Sequence, residues 1–198
     1  DREKNERNHI SLHEGNAEYN PQFFDLENKN LYYLTNENSE FKYLVKYNLE
    51  NDTKETVWNT DWDVWYAYNS YNEKYQVVVV NEDGKTKVHV YNSNTGNEVE
   101  FPDFKDGSIK SVNISKSENL MLLTVGSSTS PDNKYIYDFN TKSLTQVTNT
   151  LNPEINPDDL VAGKVVRYKS LDGLYIPAIY YQPHSASPAA KVPALVWV

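Results

Sequence analysis

The chain has 198 residues, 28 acidic against 19 basic for a net charge of −9, a pI near 4.9 and no cysteine. At about 100–200 residues per domain this is one domain or a little more, and without thiols it builds no disulfide scaffold, thiolate metal site or cysteine nucleophile. The acidic balance repels polyphosphate and anionic lipid, which argues against nucleic acid and a membrane surface as partners, and apolar runs such as 77–80 and 194–198 are far too short to span a bilayer.

Residues 1–7 are charged throughout and do not read as a signal peptide. Beyond them, short apolar runs bounded by turn residues predict strands over 18–24, 31–35, 43–47 and 54–58, then 63–68, 75–80, 87–91 and 98–101, then 109–114, 119–125, 134–137 and 144–147. Sixteen Tyr, four Trp and six Phe favour strands, and 24 Asn favour the turns between them. Asp83-Gly84 marks a tight hairpin, because both central residues of the favoured two-residue turn need positive φ. The unbroken run 77–80 predicts a strand buried on both faces, between neighbouring blades.

The three groups of strands are copies of one unit. Tyr47, Tyr91 and Tyr137 each open a similar strand end and turn, 44 and then 46 residues apart. The same two intervals connect Phe24 to Tyr68 to Ile114, Leu31 to Tyr75 to Met121, and Val57 to Phe101 to Val147. Four strands in about 44 residues is the arithmetic of a β-propeller blade. In this register residues 1–7 fit the last turn of a preceding blade, so the expectation is about three four-stranded blades plus part of a fourth. Three blades leave sheet edges and inter-blade faces open, which predicts association, including with copies of itself, disorder at the ends, or a longer chain.

After Val147 the repeat stops. Residues 150–164, with two prolines and several acids, read as a linker. Strands are predicted over 165–170 and 174–181, joined around Asp172-Gly173, and over 194–198 after a polar loop. An unbroken apolar strand such as 194–198 suits the middle of a parallel sheet covered by helices.

Here the sequence resembles a known family. The pattern Val166, Tyr168, Ser170, Asp172-Gly173, Ile176-Pro177-Ala178, followed by Pro193-Ala194-Leu195-Val196-Trp197-Val198, downstream of such blades and such a linker, is similar to the prolyl oligopeptidase family of serine peptidases. The branch it most resembles is that of the acylaminoacyl-peptidase and dipeptidyl-aminopeptidase-like enzymes; Asp61-Trp62-Asp63-Val64 and Val80-Asn81-Glu82-Asp83-Gly84 extend the likeness. The resemblance implies a propeller that caps an α/β-hydrolase domain and admits short peptides. It divides the chain into a partial propeller (1–149), a linker (150–164) and the first strands of the hydrolase domain (165–198). It also implies that 194–198 leads into a His-Gly-Gly-Pro turn that helps build the oxyanion hole. The Ser-Pro-Asp-Gly turn common between the first two strands of such blades is replaced by Asp25-Leu26-Glu27-Asn28, Asn69-Ser70-Tyr71-Asn72 and Ser115-Lys116-Ser117-Glu118.

The residues carry no evident catalytic set. No two of the seven glycines stand four apart, which excludes the Gly-x-Ser-x-Gly nucleophile elbow. Ser127, Ser128 and Ser130 read as a loop between strands. His9 and His13 have zinc-like spacing without the metalloprotease glutamate, His89 falls inside a strand, and His184 in a loop. Asp61/Asp63 and Asp158/Asp159 lack the glycine-containing ligand pattern of a calcium loop. Trp58, Trp62, Trp65 and Tyr66 are expected to pack between blades, with peptide contact as the alternative for any that lines a channel. The sequons at Asn51 and Asn113 matter only in a eukaryotic secreted protein.

The expectation is therefore an all-β partial propeller followed by the first strands of an α/β-hydrolase domain. Its parent cleaves short peptides by acyl transfer through Ser, His and Asp beyond Val198, and the residues present hold no catalytic, cofactor or metal site and no assigned substrate contact. Its partners are a short peptide and the remainder of its own propeller and hydrolase domain. Nothing in the residues fixes the compartment; cytoplasmic is the first expectation, with secretion and the periplasm open. The alternative is a non-catalytic, TolB-like propeller that binds a protein or peptide.

Overall fold

A computed structural model describes residues 7–100, 102, 104 and 107–197. The expected blade turn at residues 1–6, the anchor Phe101 and the terminal Val198 lie outside the described residues. There are thirteen strands among those described, no α-helix and one short 3-10 turn, Pro157–Asp159, capped by the Asn156 side chain.

The strands are β1 (Tyr19–Phe24), β2 (Asn30–Thr35), β3 (Tyr43–Asn48), β4 (Lys54–Trp58), β5 (Val64–Asn69), β6 (Tyr75–Glu82), β7 (Lys85–Asn92), β8 (Ser108–Ile114), β9 (Leu120–Gly126), β10 (Asn133–Asp138), β11 (Ser143–Gln146), β12 (Lys164–Lys169) and β13 (Tyr175–Tyr180). They form antiparallel meanders in the orders β1-β2-β3-β4, β5-β6-β7 and β8-β9-β10-β11, with β12-β13 as a separate hairpin. This is the partial β-propeller that the repeat predicts. The chain divides into two compact units, Asp1–Asn81 with His89–Val99, and Glu82–Val88 with Glu100–Val198.

The repeat reappears as repeated bonds. In each meander the second strand is reached through the same turn: the N–H groups of Asn28, Glu73 and Glu118 donate to the carbonyls of Asp25, Ser70 and Ser115. Asn28, Glu73 and Glu118 adopt φ of 55, 60 and 57°, the left-handed region that a Ser-Pro-Asp-Gly turn gives to glycine. The second of these turns spans Ser70–Glu73, one residue later than its sequence suggests, because Ser70 Oγ takes the Tyr75 N–H at 2.8 Å and sets the start of the turn. A further bond ties each third-strand turn to the first: Leu49 N–H to Lys29 O, Ser93 to Lys74 and Phe139 to Asn119.

In the first unit, alternation along β2 and β3 sends Leu34 and Leu44 to one face and Leu31, Tyr33, Val45 and Tyr47 to the other. Leu34 and Leu44 join Val64, Ala67, Val78 and Val80 in one core, against which Phe23, Tyr32, Val57, Trp58 and Trp62 pack. The opposite cluster is covered by Ile10, Tyr19 and Tyr43. Burial pushes the Tyr33 hydroxyl pKa up to about 12, with the neighbouring Tyr19, Glu37, Tyr43 and Tyr47 adding to the effect. All four residues of the run Val77–Val80 are at most 1% exposed, as a strand buried on both faces requires. Asp83 and Gly84 join β6 to β7 with φ of 53 and 71°, the two left-handed residues of the expected turn. In the second unit the core of the β8–β11 sheet includes Val112, Met121, Leu123, Val125 and Tyr137.

Two expected strands take a different form. Over 98–101 the described residues give only a bridge between Tyr91 and Glu98 and a bond from Val99 N–H to Val90 O. Residues 194–197 form no strand. Strand geometry depends on a neighbour's hydrogen bonds; among the described residues no strand pairs with this stretch, and Leu195, Val196 and Trp197 are all exposed.

Candidate functional site

β1 and β5 stand at the ends of their sheets, so each has one edge unpaired by its own meander. Each is bulged, β1 at Gln22 and β5 at Trp65. A bulge breaks the ladder for one residue and re-aims its side chain. Gln22 uses this to reach across: its Oε1 accepts the Ala67 N–H at 3.0 Å, and its Nε2 donates to the Asn20 carbonyl at 3.0 Å. The carboxamide thus closes a donor on the open edge of β5. In the second unit β8 carries a bulge of its own at Lys110, which is exposed.

The aromatic cluster divides. Trp58 and Trp62 pack against the core of the first unit; Trp58 Nε1 donates to Tyr91 Oη at 3.1 Å, and its ring centroid lies 5.3 Å from that of His89. Burial raises the pKa of the Tyr66 hydroxyl. Trp65 is left to solvent, 52% exposed beside fully buried Val64. Packing is therefore the outcome for Trp58 and Trp62, and Trp65 departs from it because strand alternation places it on the face opposite buried Val64.

The histidines lie in separate places. His9 Nε2 pairs with Ser11 Oγ at 2.9 Å and His13 Nδ1 with Ser11 O at 2.7 Å, on irregular backbone rather than a helix. His89 Nδ1 meets Glu98 Oε1 at 2.6 Å and helps hold the bridged segment onto β7. His184 Nε2 lies 3.2 Å from Leu160 O. Asp63 accepts the Lys42 N–H at 2.9 Å, and Asp158 and Asp159 build the 3-10 turn. Ser127, Ser128 and Ser130 lie between β9 and β10, with Ser128 Oγ accepting the Gly163 N–H at 2.9 Å. Among the described residues no three His, Asp or Glu side chains converge as a metal site would need.

Within the second unit, the β12-β13 hairpin meets the tip of the β6-β7 hairpin. Arg167 Nη2 pairs with Asp83 Oδ2, while Asp83 Oδ1 is buried with no hydrogen-bond partner among the described residues. Ile179 lies against Gly84, where an added Cβ would sit 3.8 Å from Ile179 Cδ1. The pairing was not foreseen, since Asp83-Gly84 reads as a turn whatever else its carboxylate does.

Meandering antiparallel sheets, two of four strands and one of three among the described residues, built on a 44- and 46-residue repeat, define a portion of a β-propeller. The chain belongs to the prolyl oligopeptidase family: residues 2–150 match the model of the prolyl oligopeptidase N-terminal β-propeller domain. Among solved structures it is similar to prolyl oligopeptidase B from Galerina marginata as the apo protein, at 22% identity and a TM-score of 0.64 over 89% of this chain and 25% of that one. The same enzyme bound to a 35mer hydrolysis and macrocyclization substrate matches at 23% identity and a TM-score of 0.65, over 84% of this chain and 24% of that one. A prolyl endopeptidase, from a study of inter-domain dynamics in catalysis and specificity, matches at 15% identity and a TM-score of 0.69, over 89% of this chain and 26% of that one. At these identities the likeness is one of fold. The chain spans about a quarter of the length of these structures. No curated protein matches it.

Proposed function

We propose that this chain is the substrate-gating propeller portion of a serine peptidase that hydrolyses short peptides of the acylaminoacyl or dipeptidyl type. Residues 1–149 form the propeller part, 150–164 the linker and 165–198 the first strands of the hydrolase domain. The nucleophile, base and oxyanion donors are assigned to that domain beyond Val198; residues 1–198 contain no nucleophile elbow. The observation that carries the reading is the propeller-family match over residues 2–150. It is supported by the hairpin that follows, where Tyr168, Leu174, Tyr175 and Ile179 are all exposed. A two-stranded hairpin is marginal alone and needs further strands or a helix to cover its apolar side chains.

The test uses acylaminoacyl and dipeptidyl chromogenic amides with the full-length protein and with residues 1–198 alone. The expected result is turnover by the full-length protein that a serine-directed inhibitor abolishes, and none by residues 1–198. A full-length protein that binds peptides but cleaves none of these substrates refutes the peptidase reading in favour of a binding propeller. Inhibitor-resistant turnover by residues 1–198 refutes the placement of the chemistry.

A further inference from the structure

Within the first unit, side chains from β2, β4, β5, β6 and β7 and from the turn at Glu73 line a cavity of about 450 Å³, a volume that suits a small ligand or a single side chain. Part of its wall is aromatic: Tyr32, Trp58 and Tyr91. Tyr32 stacks on Phe23, with ring centroids 4.4 Å apart, and Trp58 Nε1 donates to Tyr91 Oη at 3.1 Å, so these rings are held in place. The polar wall includes Asn69, Glu73 and Gln76, joined in a chain. Gln76 Nε2 donates to Asn69 Oδ1 and Asn69 Nδ2 to Glu73 Oε1, each at 3.3 Å, and the Leu26 N–H donates to the same Glu73 oxygen at 2.9 Å. The carboxylate is thereby positioned at the cavity before any ligand arrives, which lowers the ordering cost of binding.

No lysine, arginine or histidine is among the described residues that line this cavity. Burial pushes the Tyr32 hydroxyl pKa up, and Asp25, Glu73 and Glu55 push it further, so three carboxylates act on that wall. Lys46, 3.8 Å from Glu55 Oε2, offsets only part of their charge. We propose that the cavity binds a guanidinium group. The negative field favours a cation over a neutral ligand. A bare metal ion needs converging oxygen ligands, whereas three rings stand here and, among the described residues, no three His, Asp or Glu side chains converge. Guanidinium is planar and weakly hydrated, and it stacks on aromatic faces while its N–H groups reach a carboxylate and amide carbonyls. A lysine-type ammonium is more strongly hydrated and gains less from the rings.

The experiment titrates the full-length protein, nitrogen-15-labelled at tryptophan, and follows the Trp58 indole N–H resonance, assigned by its loss in Trp58→Phe. The probes are the Nα-acetyl methylamides of arginine, of citrulline as its uncharged isostere and of lysine, together with butylguanidine. The Trp58 resonance is expected to shift and saturate with the arginine amide at a Kd on the order of 1 mM, to need at least about threefold more of the lysine amide, and not to move with the citrulline amide. Butylguanidine separates the sources: tighter binding than the arginine amide assigns the site to a free guanidine, and weaker or equal binding assigns it to an arginine side chain. Glu73→Gln is expected to weaken arginine amide binding about tenfold, Tyr32→Leu about three- to fivefold, and Tyr32→Phe less than about twofold. A resonance that never moves, that moves equally with the citrulline or the lysine amide, or that titrates with wild-type affinity in Glu73→Gln overturns the inference. Where a variant fails to fold, the comparison of the four probes on the wild-type protein decides it by the same outcomes.

Discussion

At position 73 a glutamate holds a backbone conformation, φ of 60°, that costs a non-glycine residue about 1–2 kcal/mol. Its side chain offsets that cost. Glu73 Oε1 accepts the Leu26 N–H at 2.9 Å and lies 3.3 Å from Asn69 Nδ2, which ties the first turn of one meander to the first turn of the next. Sequence reading marked this turn only as a departure from Ser-Pro-Asp-Gly, since a carboxylate that reaches 47 positions back leaves no local pattern. By contrast Asp25, whose bonds are local, follows the familiar logic of a turn-forming side chain. Burial alone would raise its pKa, but the Asn30 N–H and amide and the Lys29 N–H hold it below the usual carboxylate range. Replacement of Glu73 separates its two effects. Alanine and glycine both delete the tie, worth about 1 kcal/mol, but only glycine relieves the backbone. Urea unfolding is expected to place Glu73→Gly about 1 kcal/mol above Glu73→Ala, with wild type close to the glycine variant because the lost tie and the relieved strain nearly cancel. An alanine variant as stable as the glycine variant would show that the turn is not strained.

Among the elements, most strands were legible because the strands they pair with are adjacent in the sequence. β4 was read to the residue, and β5 and β6 within two, because their apolar spacing and their turns are local. Residues 194–197 form no strand for the opposite reason: apolar content marks where a partner is wanted, while only a paired neighbour makes the strand. Trp65 was read only as one of four clustered aromatics, because a cluster of aromatics does not itself mark which face of a strand is buried. The β12-β13 hairpin shows how an element joins its surroundings through side chains. The Asp83 and Arg167 side chains are 26% and 49% exposed, so water and salt screen their ion pair. A double-mutant cycle with Asp83→Asn and Arg167→Gln is expected to give a coupling of about 0.5–1 kcal/mol at low salt. Asparagine tolerates the left-handed turn at position 83, so the cycle reports the pair rather than the turn. The coupling is expected to vanish near 1 M salt, where the screening length is about 3 Å. A coupling that persists there would assign it to a short-range hydrogen bond between the two side chains rather than to screened charge attraction.

At the scale of the whole molecule, the 44- and 46-residue intervals were sufficient to reveal the architecture, because a propeller repeats one meander and each copy must close the same turns. Repetition also shapes how stability is distributed. Each repeat draws most of its contacts from itself and its neighbours, so a defect is felt locally before it is felt globally. Leu44 tests this. It is 0% exposed and belongs to the core of the first unit with Leu34, Val64, Ala67, Val78 and Val80. Leu44→Ala is expected to remove about 2–5 kcal/mol there. Native-state hydrogen exchange of the full-length protein is the measurement that resolves the effect by position. Amides of β2, β3 and β6 are expected to lose protection by that amount, while those of β9 and β10, whose core residues Met121, Leu123 and Tyr137 are untouched, keep theirs. Equal loss across both units would mean that the repeats unfold as one cooperative body, with bonding between them as strong as packing within them.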